Sequence, residues 1–123
     1  ELMPSITANL QQLTHLNLTS NNLRDAGTTI LARSLSGYDP ECGPGCRAVQ
    51  NLRELILSHN GIGDQGAEAL SDNLFFVPSL SLLTLDNNII GGKGARHLAK
   101  LVQESEALKS LNLSWNKIRG PGN

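Results

Sequence analysis

The sequence predicts an α/β fold: a right-handed horseshoe segment with short parallel strands on its concave side and helices on its convex side. Three observations predict it. A motif of leucines and one asparagine recurs along the chain. Each copy opens with apolar–polar alternation, which suits a short half-buried strand. Each copy then runs into a stretch whose apolar residues share one helical face.

Four copies start at Leu13, Leu52, Leu80 and Leu108. Three residues on stand Leu16, Leu55, Leu83 and Leu111; five on stand Leu18, Leu57, Leu85 and Leu113. Eight on stand Asn21, Asn60, Asn88 and Asn116, and ten on stand Leu23, Ile62, Ile90 and Ile118. Fourteen on stand Gly27, Gly66, Gly94 and Gly122. The starts are 39, 28 and 28 residues apart, so the first copy carries 11 extra residues. Leu31 and Leu35 keep the offsets of Leu70 and Leu74, which places the extra residues at 38–48 as an inserted loop. Its glycines and prolines suit a surface excursion.

The strands are expected at Leu16-Asn17-Leu18, Leu55-Ile56-Leu57, Leu83-Thr84-Leu85 and Leu111-Asn112-Leu113. The asparagine follows where the chain leaves the strand. A buried turn leaves backbone groups short of partners. A carboxamide both donates and accepts, so stacked asparagines can form a ladder that serves each turn and its neighbour. The glycine at offset fourteen permits a tight turn into the helix. Helices are expected over 66–74 and 94–102, with Ala67, Leu70 and Leu74, and Ala95, Leu98 and Val102, facing inward. One copy cannot bury this face alone, and stacking does so. Residues 1–123 are expected to form a single domain and a fragment of a longer solenoid. The chain opens at Glu1 rather than Met, Met3 and Thr7 sit at the offsets of Leu70 and Leu74, and Asn123 falls where another helix should begin. No cap is evident, so flanking repeats or self-association through open ends are expected.

Several function classes are disfavoured. Hydrophobic residues make up 39% of the chain and aromatics 3%, which makes the core one of leucine. The net charge is −1 with both signs dispersed, so neither nucleic acid nor a membrane surface is an expected partner. No apolar run approaches the roughly 18 residues of a spanning helix. No signal peptide is visible. Cys42 and Cys46 are too few for a disulfide framework. Zinc needs about four ligands. Free thiols are the first reading of the pair and a local disulfide the second. Gly91-Gly92-Lys93-Gly94 lacks the spacing of a phosphate loop and aligns with the repeat's own turn at Gly63-Asp64-Gln65-Gly66. His15, His59 and His97 form no triad with a nucleophile and an acid. No catalytic residue, metal or cofactor is expected, and the chain does not read as an enzyme. Asn17-Leu18-Thr19 and Asn112-Leu113-Ser114 match a glycosylation word that the repeat text itself generates.

The pattern L-x-x-L-x-L-x-x-N-x-[LI] is that of leucine-rich repeats. Asn60-Gly61-Ile62-Gly63-Asp64-Gln65-Gly66-Ala67-Glu68-Ala69-Leu70 resembles the ribonuclease-inhibitor-like class, as in the repeats of NOD-like receptors and the Ran GTPase-activating protein. The resemblance covers nearly all the chain outside residues 38–48. It implies a leucine-rich-repeat solenoid, a cytoplasmic setting and a protein partner held on the concave face or its rims. It also opens a GTPase-regulating alternative, for which Arg24, Arg53 and Arg119 are the surface arginines.

Strand positions that alternate away from the core are the expected partner-binding residues. They are His15 and Asn17; Arg53, Glu54, Ile56 and His59; Leu82 and Asp86; and Lys109, Asn112 and Trp115. Stacking places equivalents in columns roughly 4.7–4.9 Å apart. One column is Ser20, His59, Asn87 and Trp115, and an exposed tryptophan among polar residues is a hot-spot type. Mixed charge at His15, Glu54, Arg53 and Lys109 suits a protein partner. The loop at 38–48 leaves from a rim and is a second candidate.

Overall fold

The computed structural model describes residues 12–37 and 48–118. The expectations for Met3 and Thr7, for the inserted segment with Cys42 and Cys46, and for Arg119 and the chain end lie outside the described residues.

Strands and helices alternate: β1 (His15–Asn17), α1 (Arg24–Ser36), β2 (Glu54–Ile56), α2 (Asp64–Leu74), β3 (Leu82–Thr84), α3 (Gly92–Glu104) and β4 (Ser110–Asn112). The strands form one sheet in the order β1-β2-β3-β4. All three pairs are parallel, with Leu16, Leu55, Leu83 and Leu111 in register. Each helix is the crossover that a parallel pair requires. The main contacts run between neighbours, α1 with α2, α2 with α3, and each strand with the next. The result is an α/β leucine-rich-repeat solenoid, one layer of strands and one of helices.

The core lies between the layers as a single cluster. Leu55, Leu57, Leu83 and Leu85 come from the strand side, Ile62 and Ile90 from the turns, and Leu35, Leu70, Leu74 and Leu98 from the helices. Leu16, Leu18, Leu111 and Leu113 of the outer strands are only partly buried against it.

The turns are held by carboxamides. Asn60 Oδ1 accepts the backbone N–H groups of Asn21 (2.9 Å) and Leu23 (3.2 Å) from the preceding copy. Its Nδ2 donates to the Leu18 carbonyl at 2.9 Å and to its own copy's Ser58 carbonyl at 3.1 Å. Asn88 accepts in the same way from Asn60 and Ile62 at 2.8 and 3.1 Å. Asn116 accepts from Ile90 at 2.9 Å.

Two helices start earlier than the periodicity predicts, at Asp64 and Gly92 rather than at 66 and 94. The cause is a carboxylate borrowed from the copy before. Asp25 Oδ1 accepts the N–H groups of Gly63 (2.7 Å) and Gly66 (2.9 Å). Asp64 Oδ1 accepts those of Gly91 (2.8 Å) and Gly94 (2.9 Å). The first N–H groups of a helix lack partners within it, and an anion there also meets the positive end of the helix dipole. The glycines therefore serve closeness rather than an unusual turn. A Cβ at Gly66 would stand 2.8 Å from Asp25 Oδ1 and 2.7 Å from Ile62 Cγ2.

Candidate partner-binding surface

Strand alternation sends Leu16, Leu55, Leu83 and Leu111 inward and sets two columns on the opposite face. The first is His15, Glu54, Leu82 and Ser110, and the second is Asn17, Ile56, Thr84 and Asn112. Within the first, His15 Nε2 lies 3.4 Å from Glu54 Oε2, and His15 Nδ1 lies 2.8 Å from the Thr14 hydroxyl. Half-buried Ile56 and Leu82 give the middle of the face an apolar floor. Asn17 Oδ1 accepts from the Thr19 N–H (3.0 Å) and hydroxyl (2.6 Å), and Asn112 Oδ1 from the Ser114 N–H (2.9 Å). These asparagines thus brace the strand ends. Arg53 and Lys109 are exposed and immediately precede the strands, where their N–H groups bond the carbonyls of Thr14 and Ser81.

The column Ser20, His59, Asn87 and Trp115 does not lie on the strands as the alternation predicts. All four residues follow the strand ends in the left-handed region, with φ of 59°, 56°, 59° and 58°. The chain must reverse there to enter the turn that the asparagines hold. The column therefore forms the rim of the concave face. Trp115 is 80% exposed, and left-handed backbone is costly for a bulky side chain.

Asp86 and Ser58 sit one residue before that rim. Ser58 is buried and donates its hydroxyl to Asp86 Oδ1. Asn87 Nδ2 donates to Asp86 Oδ2 at 2.8 Å. The Ser58 hydroxyl, above all, holds the Asp86 carboxyl below its ordinary value, with burial opposing and Asn87, the residue's own backbone and nearby His59 assisting. A carboxylate with about four acceptor sites keeps capacity for a partner's donor after these two bonds.

The glycine run that opens α3 has its anion already. The Gly91 and Gly94 N–H groups are spent on Asp64. Arg24 is tied by its Nε to Asn22 Oδ1 at 3.0 Å. His97 lies on α3, away from His15 and His59. Among the described residues no three of His, Cys, Asp and Glu gather as a metal site, and no helix is long and apolar enough to cross a membrane. Sequence reasoning missed the borrowed Asp25 and Asp64 carboxylates and the burial of Ser58. The Asp-x-Gly text shared by the first two copies, Asp25-Ala26-Gly27 and Asp64-Gln65-Gly66, carried a signal for the carboxylates, though not for where they point.

Residues 9–29, 50–71 and 105–122 match the Leucine Rich repeat family. Over 98% of its length the chain is 30% identical to the ribonuclease inhibitor of Sus scrofa, of which it spans 31%. Over 91% it is 28% identical to NACHT, LRR and PYD domains-containing protein 13 of Homo sapiens, of which it spans 12%. The chain thus spans under a third of either relative. Among solved structures, leiomodin-1 actin-binding site 2 superimposes with a TM-score of 0.73 at 16% identity, covering 97% of this chain and 62% of that one. Repeat text, parallel sheet and relatives agree, and the chain belongs to the leucine-rich-repeat family in its ribonuclease-inhibitor-like class.

Proposed function

We propose that the chain is a recognition module that binds a protein partner through its concave strand face, without chemistry of its own. The floor of Ile56 and Leu82 supplies apolar area, and the rim residues Trp115 and His59, with Asp86 just before the rim, supply the anchors. The observation that carries the reading is Trp115. A large aromatic side chain is 80% exposed on a left-handed turn, where packing gives no reason for it. Every copy makes this left-handed turn, so what sets Trp115 apart is the aromatic bulk it exposes there, and tryptophan is enriched among interface anchors. Two of the similar proteins are named for a protein they engage, a ribonuclease and actin, which supports a protein partner here. The relatives' greater length supports action as part of a longer solenoid; a cytoplasmic setting is the expectation that the family resemblance carries.

The test immobilises the chain beside a Trp115→Ala/His59→Ala variant and captures partners from lysate. Both side chains are exposed, so circular dichroism should match between the two. A partner held by the parent and lost by the variant, at a cost of about 2 kcal/mol or more, is the expected result. Equal capture by both chains would reject the concave rim.

A further inference from the structure

The opposite rim, where helices hand over to the next strand, carries a second feature. Phe75 and Phe76 follow α2 and are 49% and 60% exposed. Their rings meet edge to face, with centroids 5.3 Å apart and planes at 88°. The repeat does not ask for them. The equivalent positions are Ser36 and Gly37 in the first copy, and Gln103 and Glu104 in the third. Scattered exposed apolar residues are ordinary. Here, however, two adjacent aromatics each border a cleft. One, of about 270 Å³, lies between Phe75, Val77 and Pro78 and the end of α3, and includes Glu104 and Glu106. The other, of about 400 Å³, lies between Phe76, Asp72 and Asn73 and the end of α1 at Ser36 and Gly37. Among the described residues, the charged side chains lining the two clefts are all carboxylates, and Arg33 borders another depression with Asp72.

We infer that Phe75 and Phe76 form a second docking site, independent of the concave face, for a protein segment that presents apolar side chains flanked by lysine or arginine. The apolar side chains enter the clefts beside the two rings. The basic groups meet Asp72, Glu104 and Glu106, and a cation over a ring face gains further attraction. Two clefts separated by an aromatic ridge favour an extended or helical segment over a single small molecule.

The probe is a phage-displayed library of random peptides, panned against the whole chain. The enriched peptides are then titrated against four chains: parent, Phe75→Ser/Phe76→Ser, Glu104→Lys/Glu106→Lys, and Trp115→Ala. The inference expects peptides that pair apolar residues with lysine or arginine. Affinity should fall about tenfold or more in both rim variants, as for an interface anchor, weaken with added salt and hold in Trp115→Ala. The charge-reversed variant alters only exposed side chains, so it decides the matter even if the phenylalanine variant misfolds. Peptides without basic residues, or affinity indifferent to both rim variants, overturn the inference. So does binding lost only in Trp115→Ala, which places it on the concave rim. Binding that appears only after residues 38–47 are excised would make that segment the occupant. Concentration-dependent dimerisation abolished by the phenylalanine changes would make it a second copy of the chain.

Discussion

At the scale of single residues, the asparagines differ in what they hold. Asn88 is buried, and its Nδ2 donates to the carbonyls of Leu57, Leu85 and Asp86 at 3.1, 2.9 and 3.2 Å. Asn21 is exposed, and its Nδ2 donates to the Thr19 carbonyl at 3.1 Å. Asn88→Asp would place a buried carboxylate against three carbonyl oxygens. The expected loss at neutral pH is about 3 kcal/mol or more, because the carbonyls lose their donors and face a carboxylate oxygen, while only the Asn60 and Ile62 N–H groups remain to serve the charge. Asn21→Asp should cost under about 1 kcal/mol, since its group faces water. Denaturant midpoints at unchanged slope would report both, and equal losses would contradict this account. The same scale shows what the sequence carried and what it did not. Leu16, Leu55, Leu83 and Leu111 were legible as core because alternation and the repeat agree at each copy. The rim column was misplaced because Ser20, His59, Asn87 and Trp115 share no residue type that marks left-handed backbone. Thr28 was equally hidden: its hydroxyl is buried without a partner where Ala67 and Ala95 stand in later copies, and nothing in the structure explains it.

At the scale of elements, each helix of the second and third copies is begun by an aspartate of the copy before. Sequence reading stopped short here because Asp25 and Asp64 look local, while their hydrogen-bond partners lie 27 to 41 residues away. The strands needed only neighbouring letters; the helix starts needed a neighbouring repeat. Asp25→Ala should cost about 1–2 kcal/mol, the worth of a helix cap. Gly66→Ala should cost about 1–3 kcal/mol, because the new Cβ overpacks against Asp25 and Ile62. The two changes act on one contact, so the double variant should lose less than the sum. Additive losses in a thermal or denaturant cycle would mean that the glycine is needed for some reason other than the carboxylate's approach.

At the scale of the whole molecule, each copy leans chiefly on its neighbours, so stability is a sum of neighbour terms rather than one global quantity. Three amides test this with matched hydrogen bonds. The N–H groups of Leu18, Leu57 and Leu85 each donate across the sheet at 2.8 Å, to Ile56, Thr84 and Asn112. Leu57 and Leu85 are fully buried between copies, whereas Leu18 is only partly buried. With bond length held constant, burial by a stacked neighbour is what differs. Native-state hydrogen exchange should therefore be slower at Leu57 and Leu85 than at Leu18 by about tenfold or more, equivalent to about 1.4 kcal/mol of extra opening free energy. Equal protection at all three would mean that the solenoid opens as one cooperative unit. Unequal protection would mean that the outer copy can loosen while the centre stays folded. The concave face would then keep its apolar floor, since Ile56 on β2 and Leu82 on β3 belong to the protected middle of the sheet.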